Sequence, residues 1–535
     1  MTNNFLFYAL KFFIFYLVLF FLGRGLYIIF SKKDFLTHQN HSVFGLKLDI
    51  FYPLIGLFFI GNYLIFLNFF LPLNSIFSYF CFFPVFANLY HLPKLNSFKN
   101  IIFYPIFLIP SYDITYNYDA GLYHLGFQKI LRESNIILGT SNIYGPYGVS
   151  SVYDYISSIL WFDKEFIYFQ FLNVIFIILF YEFLYENIKQ KKYKILTNAT
   201  ISILIFSIFD NFGFGGGRNG FIYFQGIGKQ DIAVAILFLI TSLFIYITLT
   251  SKNASYMEFL LITILTVFMI QLKISSFPIL FFFSLLLYKM FYEGKLKNNF
   301  LRPIFLIIFT SSVWIVKTVL QTGCIIYPLT QTCFEKLQWT SIEYINITRE
   351  SAIQFSKFYS FDYSFIIWFN DFIDYDLNRS IIFNFLISYI IIRLLFFRKN
   401  SETNNRKSLF FIFCSASLIF YLYFGPDSRY LIGLQLLLIA SIGLFNKFKF
   451  RLNHLFLLSL IFISVLSMIR LNSYLSFNLM SSPSYEIPIP NVLQFENRFI
   501  PEEGDQCWTV KNCSPSRFSY KIVESGIFKI IKLDI

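Results

Sequence analysis

The chain has 535 residues, 56% of them hydrophobic and only 14% charged, and a mean hydropathy of +0.61. Soluble domains run nearer roughly 45–50% apolar and about 25% charged, so neither a soluble enzyme nor a disordered polymer fits. The net charge of +13 comes from 43 basic and 30 acidic residues. It does not call for nucleic acid, because the basic residues sit in short linkers between apolar runs.

In chain order, about 14 apolar segments pass a window criterion. They lie near 5–22, 51–72, 74–92, 101–110, 166–186, 195–209, 231–250, 256–271, 275–291, 302–320, 379–397, 408–424, 430–446 and 455–470. Most have about the length of one helical crossing, while 101–110 is too short to cross straight and is expected to be re-entrant or tilted. The fold expected is an all-α polytopic membrane protein of about 12–14 transmembrane helices. The 76 phenylalanines are read as lipid compatibility and nothing sharper.

The basic linkers are "KQKKYK" (Lys189 to Lys194), "EGKLKNN" (Glu293 to Asn299), "RKNSETNNRK" (Arg398 to Lys407) and "NKFKFRLNH" (Asn446 to His454). Short basic loops belong in the cytoplasm. Threading them inside puts 111–165, 210–230, 272–274, 321–378, 425–430 and everything from 471 onward outside, with the N-terminus outside as well. The expected organisation is therefore helices in 1–110, an outer loop at 111–165, helices in 166–320, an outer loop at 321–378, helices in 379–470 and an extracytoplasmic tail at 471–535. The first apolar run lacks a basic n-region and a small-residue cleavage site, so no cleavable signal is expected.

Of six cysteines, Cys81 and Cys414 fall in apolar segments and read as small buried hydrophobes. Cys324 and Cys333, and Cys507 and Cys513, form close pairs in regions assigned outside. Disulfides persist there, and neither pair has zinc-ligand spacing or a nearby histidine, so two disulfides are expected.

The outer loop at 111–165 holds the main chemical candidate. From Asp119 to Glu133, the apolar residues Tyr123, Phe127, Ile130 and Leu131 recur at helical spacing. His124, Gln128 and Arg132 line another face. This predicts an amphipathic helix lying in the outer interface. Asp119, at its head, is either an N-cap or a general base for an acceptor hydroxyl, and the roles are compatible. Asp113 is a candidate second carboxylate. Arg429, in "GPDSRY" before a helix, is a candidate phosphate contact, with snorkelling to headgroups its plainer reading. Lys273, at the outer junction in "LKISSFP", is read equally as a functional residue and as a snorkelling one. The glycine-rich "FGFGGGRNGFIYFQGIGKQD" lacks Walker spacing and reads as a loop, with Arg218 a candidate anion contact and Asp231 a cap or more. Two carboxylates can hold a divalent metal, but no ligand cluster demands one. No HExxH, GxSxG or dinucleotide fingerprint occurs.

Taken in order, "YDAGLYHL…ILGTSNIYGPYG", "LKISSFP", "W-(x)8-GCIIYP", "GPDSRY" and "EGDQCW…C" resemble an uncharacterised family of bacterial multipass membrane proteins of surface-polysaccharide loci. That family is in turn similar to the glycosyltransferase C (GT-C) superfamily. The resemblance runs from about residue 100 to residue 520. It implies an inner-membrane glycosyltransferase working at the periplasmic face on a polyprenyl-phosphate-linked sugar donor and a glycan acceptor. Asp119 would deprotonate the acceptor, Arg429 and Lys273 would hold the carrier phosphate, and Tyr123 and His124 would orient sugar or carrier. The alternatives are a polysaccharide polymerase or ligase, a transporter, and a non-catalytic assembly protein. Against the transporter, polar residues gather at one interface rather than at the membrane midplane.

Overall fold

The computed structural model describes residues 5–30, 42–90, 100–101, 104–112, 116, 118–161, 168–190, 193–209, 230–250, 255–293, 301–356, 364–374, 376–395, 398–399, 407–424, 428–447, 487–495, 498–516 and 518–533. Asp113, Arg218, most of the glycine-rich stretch and the apolar segment at 455–470 lie outside these described residues.

Among the described residues, 16 α-helices dominate. The first half runs α1 (Phe5–Phe30), α2 (Tyr52–Asn68), a 3-10 helix (Ile76–Tyr90), α3 (Tyr104–Tyr112), α4 (Leu125–Glu133), α5 (Val152–Ser158), α6 (Tyr168–Gln190), α7 (Lys194–Phe209) and α8 (Asp231–Thr250). The second runs α9 (Tyr256–Leu272), α10 (Ile279–Tyr292), α11 (Leu301–Thr322), α12 (Ile342–Ser356), α13 (Phe365–Asp374), α14 (Asp376–Leu395), α15 (Lys407–Phe424) and α16 (Ser428–Phe445). Among the described residues, five helices are long and apolar enough to cross a membrane: Phe5–Ile29, Leu48–Asn68, Phe171–Gln190, Asp231–Thr250 and Pro303–Thr322. Seven further apolar helices are shorter, at 10–17 residues. The short segment expected at 101–110 is α3, with 9 residues.

Strands are brief and antiparallel: β1 (Ser42–Val43) with β2 (Leu46–Lys47), β3 (Arg398–Lys399) with β4 (Asn446–Lys447), β5 (Val492–Phe495) with β6 (Arg498–Pro501), and β7 (Tyr520–Ser525) with β8 (Phe528–Leu533). The β3–β4 pair ties two of the basic linkers together.

α8 is the centre of the bundle, buried along its whole apolar window, whereas α11 buries only 28% of its own. Phenylalanine does more than tolerate lipid here. Phe244 of α8 stacks on Phe44 at 4.0 Å, and Phe413 of α15 stacks on Phe282 at 4.3 Å and Phe238 at 5.8 Å. Offset aromatic pairs add about 0.5–1.5 kcal/mol beyond their area. They supply specific packing where lipid tails would otherwise compete equally for an apolar side chain.

Two further devices hold helices together. Asn62 of α2 and Gln271 of α9 exchange side-chain hydrogen bonds of 3.0 and 2.8 Å, and Gln271 also donates to the Thr310 carbonyl of α11. Gly443 lets α16 lie against the backbone of α7, since a Cβ there would collide with the Asn198 carbonyl and stand 2.7 Å from the Ala199 nitrogen. Small residues at such seams are what allows close backbone approach.

Candidate functional site

The connections threaded to the outside meet at one end of the bundle. The Gly139 amide bonds the Leu320 carbonyl at 2.9 Å, the Gly145 amide bonds the Tyr344 hydroxyl at 3.0 Å, and Asn142 donates to the carbonyls of Trp339 and Ile531, both at 2.9 Å. Both expected disulfides are present, Cys324–Cys333 and Cys507–Cys513. Cys81 and Cys414 are buried and free.

The helix read from Asp119 to Glu133 is there, but it is two kinds of helix. Ala120–His124 forms a π-helical turn, closed by the Leu125 amide on the Ala120 carbonyl, and α4 follows. Asp119 is already helical in backbone (φ −64°, ψ −20°) and makes no side-chain cap bond. The wider π turn rotates His124 relative to Asp119, a distortion that recurs at functional sites.

The face carrying His124 and Gln128 does not meet water at an interface. His124 is 4% exposed and Gln128 fully buried, because both turn onto α5. There Asp154 belongs to a capping box: Ser151 Oγ accepts from the Tyr153 amide, and Asp154 Oδ2 accepts from the Ser151 amide at 3.2 Å. Asp154 Oδ1 is then left to take His124 Nδ1 at 2.8 Å and Gln128 Nε2 at 3.2 Å. Gln128 Oε1 accepts from Trp161 Nε1 at 2.9 Å, so both ends of the amide are satisfied. Arg132, the third residue of that face, donates to the Ser158 carbonyl. A helix face with polar residues every fourth position can be answered by buried partners as well as by solvent.

Lys273 is not snorkelling. Its ammonium is ion-paired with Asp231, the first residue of α8, whose side chain is 1% exposed, and it lies 4.1 Å from the ring centroid of Tyr430. Arg429 also lies over that ring at 5.9 Å, in the first turn of α16. Asp231, Lys273, Ser275, Tyr421, Arg429 and Tyr430 line a narrow cleft. Tyr123 joins this cleft to the Asp119 turn. Burial pushes its hydroxyl well above the usual tyrosine range, and the nearby carboxylates of Asp119, Asp154 and Asp231 push it further the same way. Its ring tilts on that of His124 with centroids 4.2 Å apart.

The structure thus brings five sequence candidates together: Asp119, Tyr123, His124, Lys273 and Arg429. Asp113 and Arg218 lie outside the described residues. Sequence reasoning missed Asp154 as the partner of the His124–Gln128 face, although the Ser151–Asp154 spacing is a visible capping box. It also missed Lys317, 1% exposed within α11, which donates to Ser150 Oγ at 2.9 Å and sits 3.6 Å over Trp314. A lysine inside an apolar run was the available signal. Among the described residues no group of three or more His, Cys, Asp or Glu side chains is placed to hold a metal.

The described part of the stretch from 471 onward covers the head of this helix. Tyr118 donates to Asp505, Gln506 Nε2 donates to the Tyr118 carbonyl at 3.1 Å, and the Trp508 amide bonds the Gly121 carbonyl at 2.8 Å. The bond to Asp505 pushes the Tyr118 hydroxyl up to about 12. The Trp508 ring lies over Gly121, where a Cβ would stand 2.7 Å from it, and meets Tyr116 edge-on at 5.6 Å. Lys511 pairs with Glu133 at 3.0 Å, so the disulfide loop grips the helix at both ends.

The sequence pattern of the family described as Domain of unknown function (DUF8201) matches residues 5–436. No curated protein and no solved structure matches the chain.

Proposed function

The chain belongs to the DUF8201 family, and we propose that it is an inner-membrane glycosyltransferase, using a polyprenyl-phosphate-linked sugar donor at the periplasmic face to build a surface polysaccharide or glycolipid. One observation carries this reading. Residues drawn from four separate stretches (Asp119 to His124, Asp231, Lys273, and Arg429 with Tyr430) gather around Tyr123 at one end of an apolar bundle. The site combines carboxylates and an imidazole with a guanidinium and an ammonium, the ammonium being paired with Asp231. That combination suits transfer from a lipid phosphate: a base takes the acceptor proton, and cations stabilise the leaving phosphate as charge develops. Arginine offers phosphate a planar fork of donors, and the start of α16 adds its positive dipole end. Position at the end of the bundle gives a membrane-embedded carrier access without leaving the lipid.

The experiment compares wild type and Asp119→Asn in the native host at matched abundance, weighing lipid-linked intermediates and surface glycan by mass spectrometry. Glycan short by one sugar, with its undecorated precursor accumulating, supports single-sugar transfer. Loss of long chains with intact single repeat units moves the reading to a polymerase. An unchanged profile removes Asp119 from the chemistry.

A further inference from the structure

We propose that the group which takes the acceptor proton is His124, held by Asp154, and that Asp119 acts beside it as a fixed charge. This rests on the glycosyl-transfer reading above. A general base needs a fixed orientation, an open lone pair and partial exclusion of water. Nδ1 of His124 lies 2.8 Å from Asp154 Oδ1, and both side chains are at most 5% exposed. Asp154 takes two further bonds, from the Ser151 amide and Gln128 Nε2, and so presents itself as a carboxylate that accepts only. The Nδ1 atom therefore carries the hydrogen, and the lone pair falls on Nε2, because the bond made by one ring nitrogen sets the state of the other. Nε2 makes no hydrogen bond among the described residues. The ring is tilted against Tyr123, the side chain that borders the Lys273–Arg429 cleft.

The step balances without a cofactor. Nε2 takes the proton of an acceptor hydroxyl while its oxygen forms a bond to the anomeric carbon of the donor. The bond from that carbon to the phosphate oxygen breaks, and the electron pair leaves with the carrier phosphate, facing Lys273 and Arg429. The imidazolium that results sits on the Asp154 carboxylate, which stabilises it. Nε2 must be unprotonated to act, and a general base of this kind gives a rate that rises with pH on the acid side of the profile.

The test uses the purified full-length protein in nanodiscs with the polyprenyl-phosphate-linked glycan fraction extracted from host membranes. Product glycolipids are weighed across pH 5 to 9 for wild type, His124→Asn, His124→Gln, Asp154→Asn and Asp119→Asn. His124→Asn keeps a donor for Asp154, and thermal unfolding of each variant checks the fold. The expected result is a roughly 10²–10⁴-fold fall in kcat for both His124 variants, with KM held and the rising acid limb of the profile gone. Asp154→Asn should lower kcat in the same sense, while Asp119→Asn lowers the rate but keeps the limb. Folded His124 variants that retain wild-type kcat and the limb overturn the assignment and leave glycosyl transfer standing. A wild-type protein that moves no sugar in this fraction overturns both.

Discussion

Gly443→Ala tests how much of the bundle depends on one missing methyl group. The added Cβ would meet backbone on three sides, namely the Asn198 carbonyl and its carbon and the Ala199 nitrogen. None of these can swing away as a side-chain tip would. α16 and α7 must therefore part by about 1 Å over that turn, and a gap of that size forfeits roughly a quarter to a half of each dispersion contact across it. With the strain of overpacking, the cost comes to about 2–3 kcal/mol. Gly433, three turns earlier on the same helix, is the control. A Cβ there would stand 3.0 Å from Phe238 Cβ and 3.2 Å from its ring, where the two helices need give by only a few tenths of an ångström, so Gly433→Ala should cost about 1 kcal/mol, less than Gly443→Ala. SDS-titrated unfolding in mixed micelles, followed by tryptophan fluorescence, reads both. Equal losses for the two variants, or none for Gly443→Ala, would refute the claim that backbone contact sets the α7–α16 seam.

Three other outcomes follow from the site and its surroundings. Trp508→Ala should loosen the Tyr118–Gly121 turn and lower the proposed sugar transfer several-fold while global unfolding moves by about 1 kcal/mol or less; hydrogen exchange at Gly121 and Leu122 checks this, and unchanged protection there would disprove it. Reduction of Cys507–Cys513, or Cys507→Ser with Cys513→Ser, should act in the same direction, measured as transfer before and after a membrane-impermeant reductant. Glu133 gives a pH signature. Burial alone would raise its pKa, but hydrogen bonds from Lys129 and Lys511 outweigh that and hold it below the usual 4.5. A depressed folded pKa means the stabilisation is complete above the unfolded value and fades as pH falls through the folded one. Glu133→Gln should therefore be less stable than wild type at neutral pH and indistinguishable from it well below pH 4.5, as read by thermal unfolding at each pH.

Much of this was open to reading from residues alone. Apolar runs of crossing length locate the helices, since a bilayer leaves the backbone no other means of satisfying itself. Basic linkers then group the connections, and of the polar residues so grouped Asp119, Tyr123, His124, Lys273 and Arg429 lie near one another. Periodicity could not say what the His124–Gln128 face looks at, because a buried amide and carboxylate serve such a face as well as water does. The partner, Asp154, lies thirty residues on, in a helix of its own. Lys317 escaped notice because one lysine scarcely dents the hydropathy of its window. The role of the tail was beyond any local pattern: Tyr118 and Asp505 are 387 positions apart.

That last separation bears on biosynthesis. Contacts between Asp505–Lys511 and Tyr116–Glu133 cannot form until every helix from α5 to α16 has left the ribosome and found its place. Closing so long a loop is entropically slow and comes late in assembly. The turn that bears Asp119 and His124 is thus clasped only at the end, by a loop that itself needs an oxidising compartment to form its disulfide. A chain that stops just after α16, or whose last stretch stays on the reducing side, carries every side chain of the cleft and still has an unclasped site. Assembly and topology thus converge on the same few residues, and an incomplete copy lacks the clasp over the Asp119 turn.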